Sequence, residues 1–159
     1  MTVRVQREDF DIGAEIAAIR RGDPGIGAIA SFIGLVRDVS EGDAVLGMTL
    51  EHYPGMTEKA LAGIVDQAKH RWDIVDALVI HRVGALKPLD QIVLVVVTGA
   101  HRGAAFDACA FIMDYHKTQA PFWKKEQTAQ GARWVEARAS DDQAAERWGD
   151  PRAKNGPKV

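Results

Sequence analysis

The chain has 159 residues, of which 47% are hydrophobic and 26% are charged, and this composition is ordinary for a soluble globular protein. The formal net charge of −2 offers no overall positive field that would attract nucleic acid or an anionic membrane surface. No apolar run reaches the roughly 18 residues that a membrane-spanning helix needs, and no apolar segment follows a basic start. These features argue against a nucleic-acid or membrane partner, and we expect a cytoplasmic protein.

Short strands and helices alternate in the first half of the chain. Residues 3–5 alternate between apolar and polar and predict a strand, and Asp9 or Asp11 can cap the helix that follows. The run 26–36 is apolar at odd and even positions, which predicts a strand that is buried on both faces. A further strand is predicted over 45–53, before a second helix with one apolar face.

The second half of the chain continues this pattern and contains a basic segment. We predict strands over 74–83, 91–98 and 133–138, a helix over 103–117, and a basic, aromatic turn over 121–126. Several strands are joined by short turns instead of helices. A mixed or largely antiparallel α+β sheet is therefore favoured over a doubly wound parallel one.

The domain organisation is predicted to be simple, because the chain shows no repeat, linker or low-complexity block. At this length one hydrophobic core is sufficient. We predict a single domain over 1–140 and a C-terminal tail over 141–159, which forms a short helix near Ala144 and then frays.

Most kinds of catalytic chemistry lack a sequence signature in this chain. The five histidines show no close pairing and no acidic cluster beside them, so no metal site is predicted. The single cysteine, Cys109, lies on the apolar face of its predicted helix, and the sequence contains neither G-x-S-x-G nor a Walker motif. What remains is a set of cations close to aromatic residues: Arg37, His101, Arg102, Lys117, Lys124, Lys125 and Arg138. Clustered cations favour an anion pocket with one or two reactive lysines.

The predicted helix over 103–117 separates two groups of these cations. His101 and Arg102 lie at one end and Lys117 at the other, roughly 22 Å away. One small substrate cannot contact both ends of a single helix. We therefore hypothesise that, if both ends belong to one site, two copies of the chain share that site in a homodimer.

Five fragments, in a fixed order and spacing, carry a resemblance to a known family. They are FIGLVRD (32–38), LEHYPGM (50–56), HRVGAL (81–86), AHRGAAFDAC (100–109) and K-x-x-x-P-F-W-K-K-E (117–126). Each fragment is weak alone, and the order and spacing of all five make the resemblance specific. Over nearly its whole length the chain resembles the large, catalytic subunit of molybdopterin synthase.

The resemblance implies a fold with a hammerhead-like α/β part and an additional antiparallel sheet. It implies a sulfurtransferase that takes sulfur from the thiocarboxylated Gly-Gly tail of a small ubiquitin-like carrier. The acceptor would be cyclic pyranopterin monophosphate, which becomes the dithiolene of molybdopterin. The subunit would form a homodimer within a heterotetramer, with one carrier at each end, and would need no metal or nucleotide cofactor.

Carried over position by position, the resemblance also implies site residues. Lys117 would act at the thiocarboxylate, in proton transfer or transient acyl capture, and Lys124 would hold and polarise the substrate. Arg37 and the adjoining Leu35-Val36 backbone would line the pterin and phosphate pocket. The further substrate-binding residues would be His101 and Arg102 from the other chain, Arg138, and Lys125 and Glu126 in the pocket wall.

Two alternatives use the same cations without this chemistry. The first is a non-catalytic, dimeric binding module for a phosphorylated small molecule, and the second is a scaffold that docks a ubiquitin-like partner. Loss of turnover with retained substrate affinity in Lys117→Ala would argue against the binding module. Turnover by the purified chain with a thiocarboxylated carrier would eliminate the scaffold.

Overall fold

The computed structural model describes residues 3–40, 42–135 and 139–149, with residues 139 and 140 described by their backbone alone. The strands are β1 (Val3–Gln6), β2 (Ala28–Leu35), β3 (Val39–Ser40), β4 (Asp43–His52), β5 (Asp76–Arg82), β6 (Gly84–Leu86), β7 (Gln91–Gly99), β8 (Phe122–Thr128) and β9 (Gly131–Val135). The helices are α1 (Ile12–Ile19), α2 (Met56–Arg71), α3 (Arg102–Gln119) and α4 (Ala139–Glu146). Of the two possible caps for α1, the structure selects Asp11, whose Oδ1 accepts a hydrogen bond of 2.9 Å from the Ala14 N–H.

The first sheet has the strand order β1-β5-β7-β2, and helices cover both of its faces. Strand β1 runs parallel to β5, and the other pairs are antiparallel. In β7, Val93, Val95 and Val97 pack with α2 and α3, whereas Leu94 and Val96 pack with α1. Because successive side chains of a strand point to opposite faces, a strand covered on both sides is apolar at every position.

The prediction that the run 26–36 is buried on both faces was wrong. Among the described strands, β2 pairs with β7 alone and forms an edge of the first sheet. Its side chains are accordingly only partly covered, and Phe32 and Leu35 are 42% and 46% exposed. Apolar residues at both parities indicate burial of both faces only where other elements pack over both faces, and the sequence of one strand does not show what covers it.

The second sheet has the strand order β3-β4-β8-β9, and β6 also pairs with β4. All of its pairs are antiparallel. The basic turn predicted over 121–126 was wrong, because residues 122–126 form the start of β8, which pairs with β4 on one side and β9 on the other. Lysine is a poor strand former, and here the two neighbouring strands override that local preference. The predicted strand over 133–138 overlaps β9, and residues 136–138 lie outside the described part of the chain.

Helix α4 contains Ala144 and packs on α3, and a short segment after it is held against α3 and the end of α2. The indole Nε1 of Trp148 donates a hydrogen bond of 2.6 Å to Asp114 Oδ2. The Trp148 ring makes edge contacts with Trp72 and Phe111, at centroid distances of 5.3 and 5.8 Å. The fraying predicted for the tail concerns residues outside the described range, and the boundary at residue 140 stays a prediction.

The α+β class and the additional antiparallel sheet are confirmed. Only one strand pair, β1 with β5, is parallel among the described strands. Each sheet buries its own apolar cluster, and the second sheet does so around Val36, Met48 and Leu50. No helix in the described ranges is long and apolar enough to cross a membrane.

Candidate active site

The second sheet, the neighbouring edge of the first sheet and the C-terminal end of α3 enclose a cavity of about 540 Å³. Met48, Leu50 and Ile92 form part of its apolar wall. Titratable side chains reach it from several elements, and they are Arg37, His81, His116, Lys117, Lys124, Glu126 and Asp141. The two lysines predicted to be reactive therefore line one common cavity, which we call the lysine cavity.

A second cavity of about 850 Å³ adjoins the lysine cavity and shares Leu35 and Arg37 with it. The backbone of Val36 joins this region to the next loop. Its N–H donates to the Asp90 carbonyl and its carbonyl accepts from the Leu89 N–H, each over 2.9 Å. The segment 35–37, predicted to line a pterin and phosphate pocket, thus forms the boundary between the two cavities.

The alternation of β8 decides which of its side chains face the lysine cavity. Phe122, Lys124 and Glu126 lie two residues apart and line it together. Lys125 points to the opposite face, where its Nζ lies 5.5 Å from the centroid of the Trp134 ring. Lys125 was expected in the pocket wall, but within the described ranges it does not line the lysine cavity.

Glu126 is almost completely buried and lies between two cations. Its Oε1 is 3.6 Å from Lys124 Nζ, and its Oε2 is 3.5 Å from an Arg133 NH2. Arg133 also forms a 2.7 Å ion pair with Asp43 and donates to the Ser40 carbonyl over 2.9 Å. A buried carboxylate needs such compensation because its desolvation is costly. The network restrains Lys124 and ties β8 and β9 to the hairpin of β3 and β4.

Two buried histidines lie beside Lys117. His81, at the end of β5, stacks on Phe122 with a centroid distance of 3.8 Å and contacts His116 at 4.8 Å. His81 Nδ1 lies 2.7 Å from the Arg82 carbonyl oxygen. In the described part of the structure, neither ring nitrogen of His116 has a hydrogen-bond partner.

Burial keeps both imidazoles neutral. Desolvation lowers the pKa of His81 to about 3, with smaller contributions from the nearby charges of Lys117 and His52. Desolvation likewise lowers the pKa of His116 well below its usual value, assisted by His81 and Lys117. The cationic character of the lysine cavity at neutral pH therefore comes from lysine and arginine.

The remaining predicted cations do not reach the lysine cavity of their own chain. His101 caps α3 and Arg102 begins it, whereas Lys117 lies in the last turn of that helix. Both N-terminal residues are exposed. The separation of roughly 22 Å expected along the helix is therefore retained. Arg138 lies outside the described residues.

Metal and thiol chemistry find little support among the described residues. Within the described ranges, no group of three or more His, Cys, Asp or Glu side chains is arranged to hold a metal ion. Cys109 is buried in the core, and burial raises the pKa of its thiol to about 11. A thiol held in this way is a poor nucleophile.

Sequence reasoning did not single out His81, His116 or Asp141 as members of the cavity. His81 occurs in the fragment HRVGAL, but only as part of a resemblance. The sequence feature that could have indicated His81 is its place at the end of an apolar strand, because a histidine at that place lies at the edge of the core. No local pattern indicates that it meets His116, which lies on a helix 35 positions later in the sequence.

Comparisons with known proteins agree on one family. A family model described as "MoaE protein" matches residues 5–119. The molybdopterin synthase catalytic subunit of Ralstonia nicotianae is 70% identical over 148 residues, which cover 93% of this chain and 84% of that relative. The solved structure of a molybdopterin biosynthesis MoaE protein from Burkholderia ambifaria is 56% identical, with a TM-score of 0.81 and coverage of 94% of this chain and 98% of that one.

A more distant structure shares the fold. It is titled a protein-protein complex of subunits 1 and 2 of the molybdopterin-converting factor from Helicobacter pylori. Its matching chain is 18% identical with a TM-score of 0.71, and the match covers 87% of this chain and 92% of that one. At this identity the similarity concerns the fold alone.

The fold and the cavity define a class of protein, an α+β protein in which lysine and arginine side chains line one enclosed site. The family match and the high identity of full-length relatives define the family. The chain belongs to the MoaE family of molybdopterin synthase catalytic subunits, which are sulfurtransferases of molybdenum cofactor biosynthesis. Family membership sets aside a purely non-catalytic binding module and a pure scaffold.

Proposed function

We propose that the chain transfers sulfur from the thiocarboxylated C-terminal tail of a small ubiquitin-like carrier to cyclic pyranopterin monophosphate, and so forms the dithiolene of molybdopterin. The observation that carries this proposal is the convergence of Lys117, Lys124 and Arg37 on one cavity of about 540 Å³. A volume of this size is typical of a small-molecule site.

The cations supply the electrostatics that an anionic acceptor and an anionic sulfur donor need. Arg37 lies where the two cavities meet, and its planar guanidinium suits a phosphate group. Lys124 is restrained by the buried carboxylate of Glu126, so its ammonium is held in place to polarise the substrate. Lys117 approaches from α3 and would act at the thiocarboxylate, in proton transfer or transient acyl capture.

The single cysteine of the chain bears on the source of the sulfur. Cys109 is buried and its thiol pKa is raised to about 11, so this cysteine is a poor sulfur donor. A carrier tail that ends in a thiocarboxylate brings its own nucleophilic sulfur, so this chain need not supply one. The two-subunit complex from Helicobacter pylori supports this arrangement at the level of a related fold.

The assembly belongs to the same proposal. His101 and Arg102 at the far end of α3 would complete the site of a second copy, and Arg138 would do likewise, which gives a homodimer within a heterotetramer. The resemblance supports this arrangement, and so does the distance between the two ends of α3. The cytoplasmic location, the absence of a cofactor and the substrate-binding role of Lys125 stay predictions.

The test is a reconstitution of the purified chain with cyclic pyranopterin monophosphate and a thiocarboxylated carrier, with the dithiolene product as the readout. We expect Lys117→Ala to lower kcat by at least about 100-fold, because it removes a group that acts at the reacting atoms. Lys59→Ala, which removes an exposed lysine of α2, is the control and should leave the rate unchanged.

Neighbouring lysines of β8 sharpen this test. Lys124 lines the lysine cavity and Lys125 lies on the opposite face. Lys124→Ala should therefore reduce turnover much more than Lys125→Ala. Absence of product from the wild-type mixture would contradict the proposed reaction, and equal losses in the two variants would contradict the assignment of the cavity.

A further inference from the structure

His81 has a ring orientation and a tautomer that the structure defines. On β5 its side chain follows the parity of Ala77 and Val79, which pack toward α2 and α3. Its Nδ1 lies 2.7 Å from the Arg82 carbonyl oxygen. Because a carbonyl oxygen only accepts hydrogen bonds, Nδ1 must carry the proton of the neutral ring, and Nε2 is left as an acceptor.

The ring is also held on its faces. Phe122 stacks on it with an interplanar angle of 21°, and His116 contacts it at a centroid distance of 4.8 Å. The residue is only 3% exposed. Stacking and the bond to the Arg82 carbonyl together leave the imidazole one orientation, and such restraint is what a group that positions another side chain requires.

Charged groups approach His81 from each neighbouring element. Lys117 and His116 belong to α3, His52 belongs to β4, and the lysine cavity adds Lys124 and Glu126 from β8 and Asp141 from α4. Lys117 and both imidazoles line the lysine cavity, and the Lys117 charge lowers the pKa of each imidazole. The contact of His81 with the Arg82 carbonyl uses Nδ1, so Nε2 is the acceptor nitrogen of the neutral ring.

We propose that His81 is a positioning residue of the sulfur-transfer reaction, whose Nε2 accepts a hydrogen bond from the Lys117 ammonium while the carrier tail occupies the lysine cavity. The ammonium has three N–H donors, so one can be directed to His81 while the others face the thiocarboxylate. A lysine side chain is long and flexible, and a fixed acceptor reduces the orientations that it samples. Burial keeps the imidazole neutral, so it orients the lysine without taking its proton. This inference rests on the proposed function.

His116 is the competing donor for the same acceptor. Its ring lies against His81, and both of its nitrogens lack a partner among the described residues. If His116 were the true partner of His81, replacement of His116 would have the same effect as replacement of His81. Under the present proposal His116 is packing, and His116→Leu lowers kcat less than His81→Asn does.

The direct test is a spectrum of the imidazole nitrogens in the full chain, labelled with ¹⁵N-histidine and mixed with the unlabelled carrier in its ordinary carboxylate form. We expect His81 in the Nδ1–H tautomer, and we expect its Nε2 resonance to move on carrier addition in wild type and in Lys59→Ala but not in Lys117→Ala. A resonance that moves equally in Lys117→Ala would overturn the proposal. No carrier binding by the wild-type chain would overturn the proposed function and this inference with it.

Turnover gives a second, independent readout. His81→Asn and His81→Gln both lose the stack of the imidazole on Phe122. The Asn amide occupies the region of Nδ1 and can keep the bond to Arg82, whereas the Gln amide reaches the region of Nε2 and can supply an acceptor. We expect His81→Asn to lower kcat about 10- to 100-fold with KM for the pterin within about twofold, and His81→Gln to recover most of that loss.

The outcomes separate positioning from simple packing. Each variant is first compared with wild type by thermal unfolding, since both lose the stack on Phe122. Equal losses of kcat in His81→Asn and His81→Gln would contradict a role for the acceptor. A loss in His116→Leu as large as that in His81→Asn would assign the acceptor to His116 and overturn the proposal.

Discussion

The lysine cavity contains two solutions to the problem of burying an ionisable side chain. Glu126 is compensated by two cations, because Lys124 and Arg133 both lie within 3.6 Å of its carboxylate. His81 and His116 stay neutral, because desolvation lowers the pKa of each imidazole. The Glu126 carboxylate holds the Lys124 ammonium in place. The two neutral imidazoles add apolar ring surface beside Lys117 without adding a positive charge that would repel it.

The neutral histidines make stability depend on pH in a defined direction. The pKa of His81 is lowered from 6.5 to about 3, and that of His116 is also lowered well below 6.5. Between pH 6.5 and about 3 the unfolded chain binds more protons than the native one. The free energy of unfolding therefore falls as the pH falls through this window, by up to about 1.4 kcal/mol per pH unit for each histidine.

Urea unfolding of wild type and His116→Leu at pH 7, 6 and 5 measures this contribution. The variant lacks one of the two titrating groups, so its loss of stability below pH 6.5 should be shallower by up to about 1.4 kcal/mol per pH unit. Identical slopes for the two proteins would show that His116 is not buried as a neutral ring.

At the scale of elements, several hydrogen bonds attach the C-terminal segment, and three of them converge on the Asp114 carboxylate. Asp114 Oδ2 accepts from Trp148 Nε1 over 2.6 Å and from the Arg147 Nε and NH2 over 3.1 and 2.7 Å. Arg71 NH1 donates to the Trp148 carbonyl over 3.0 Å. These contacts join α4 to α2 and α3, and α4 brings Asp141 to the lysine cavity.

We expect Trp148→Ala to lower the free energy of unfolding by about 2 kcal/mol, because it removes a half-buried indole and one bond to Asp114. In Trp148→Ala, amide hydrogen exchange should be accelerated, relative to wild type, more in α4 than in the first sheet. Trp123→Ala is a matched control, since Trp123 is 48% exposed on the outer face of β8 and should change stability by less than about 0.5 kcal/mol. Equal costs for the two tryptophans would contradict the anchoring role.

At the scale of the whole molecule, the length of α3 sets the relation between the predicted cations. The helix runs from Arg102 to Gln119, with His101 as its cap, and Lys117 lies in its last turn. One chain therefore cannot bring His101 and Lys117 to the same small substrate. A dimer in which each chain completes the site of the other resolves this geometry.

A mixture of Lys117→Ala and Arg102→Ala chains tests the shared site. Each mixed dimer contains one intact site and one doubly defective site, so random exchange of subunits should restore about one quarter of wild-type turnover. Each variant alone should be inactive or nearly so in the reconstituted assay. A mixture that never exceeds the mean of the two separate activities would contradict a site built from two chains.

Much of the local structure followed from residue patterns. The β-branched run over 91–98 became β7, and the apolar spacing over 103–117 became most of α3. The short turns between strands indicated a mostly antiparallel α+β protein, and the cations around Lys117 and Lys124 indicated an anion site. These features depend on backbone periodicity and side-chain chemistry, which act over a few neighbouring residues.

Tertiary structure decided the features that depend on distant partners. Strand pairing turned the basic segment 121–126 into β8 and left β2 at an edge, since a strand is defined by its neighbours as much as by its own residues. Burial brought His81 against His116 and enclosed Glu126 between Lys124 and Arg133. The sequence by itself therefore determined most of the helices and strands and which residues carry charge. Only the packing of distant elements decided which charges share a cavity, because the burial and contacts of each side chain depend on residues far away in the chain.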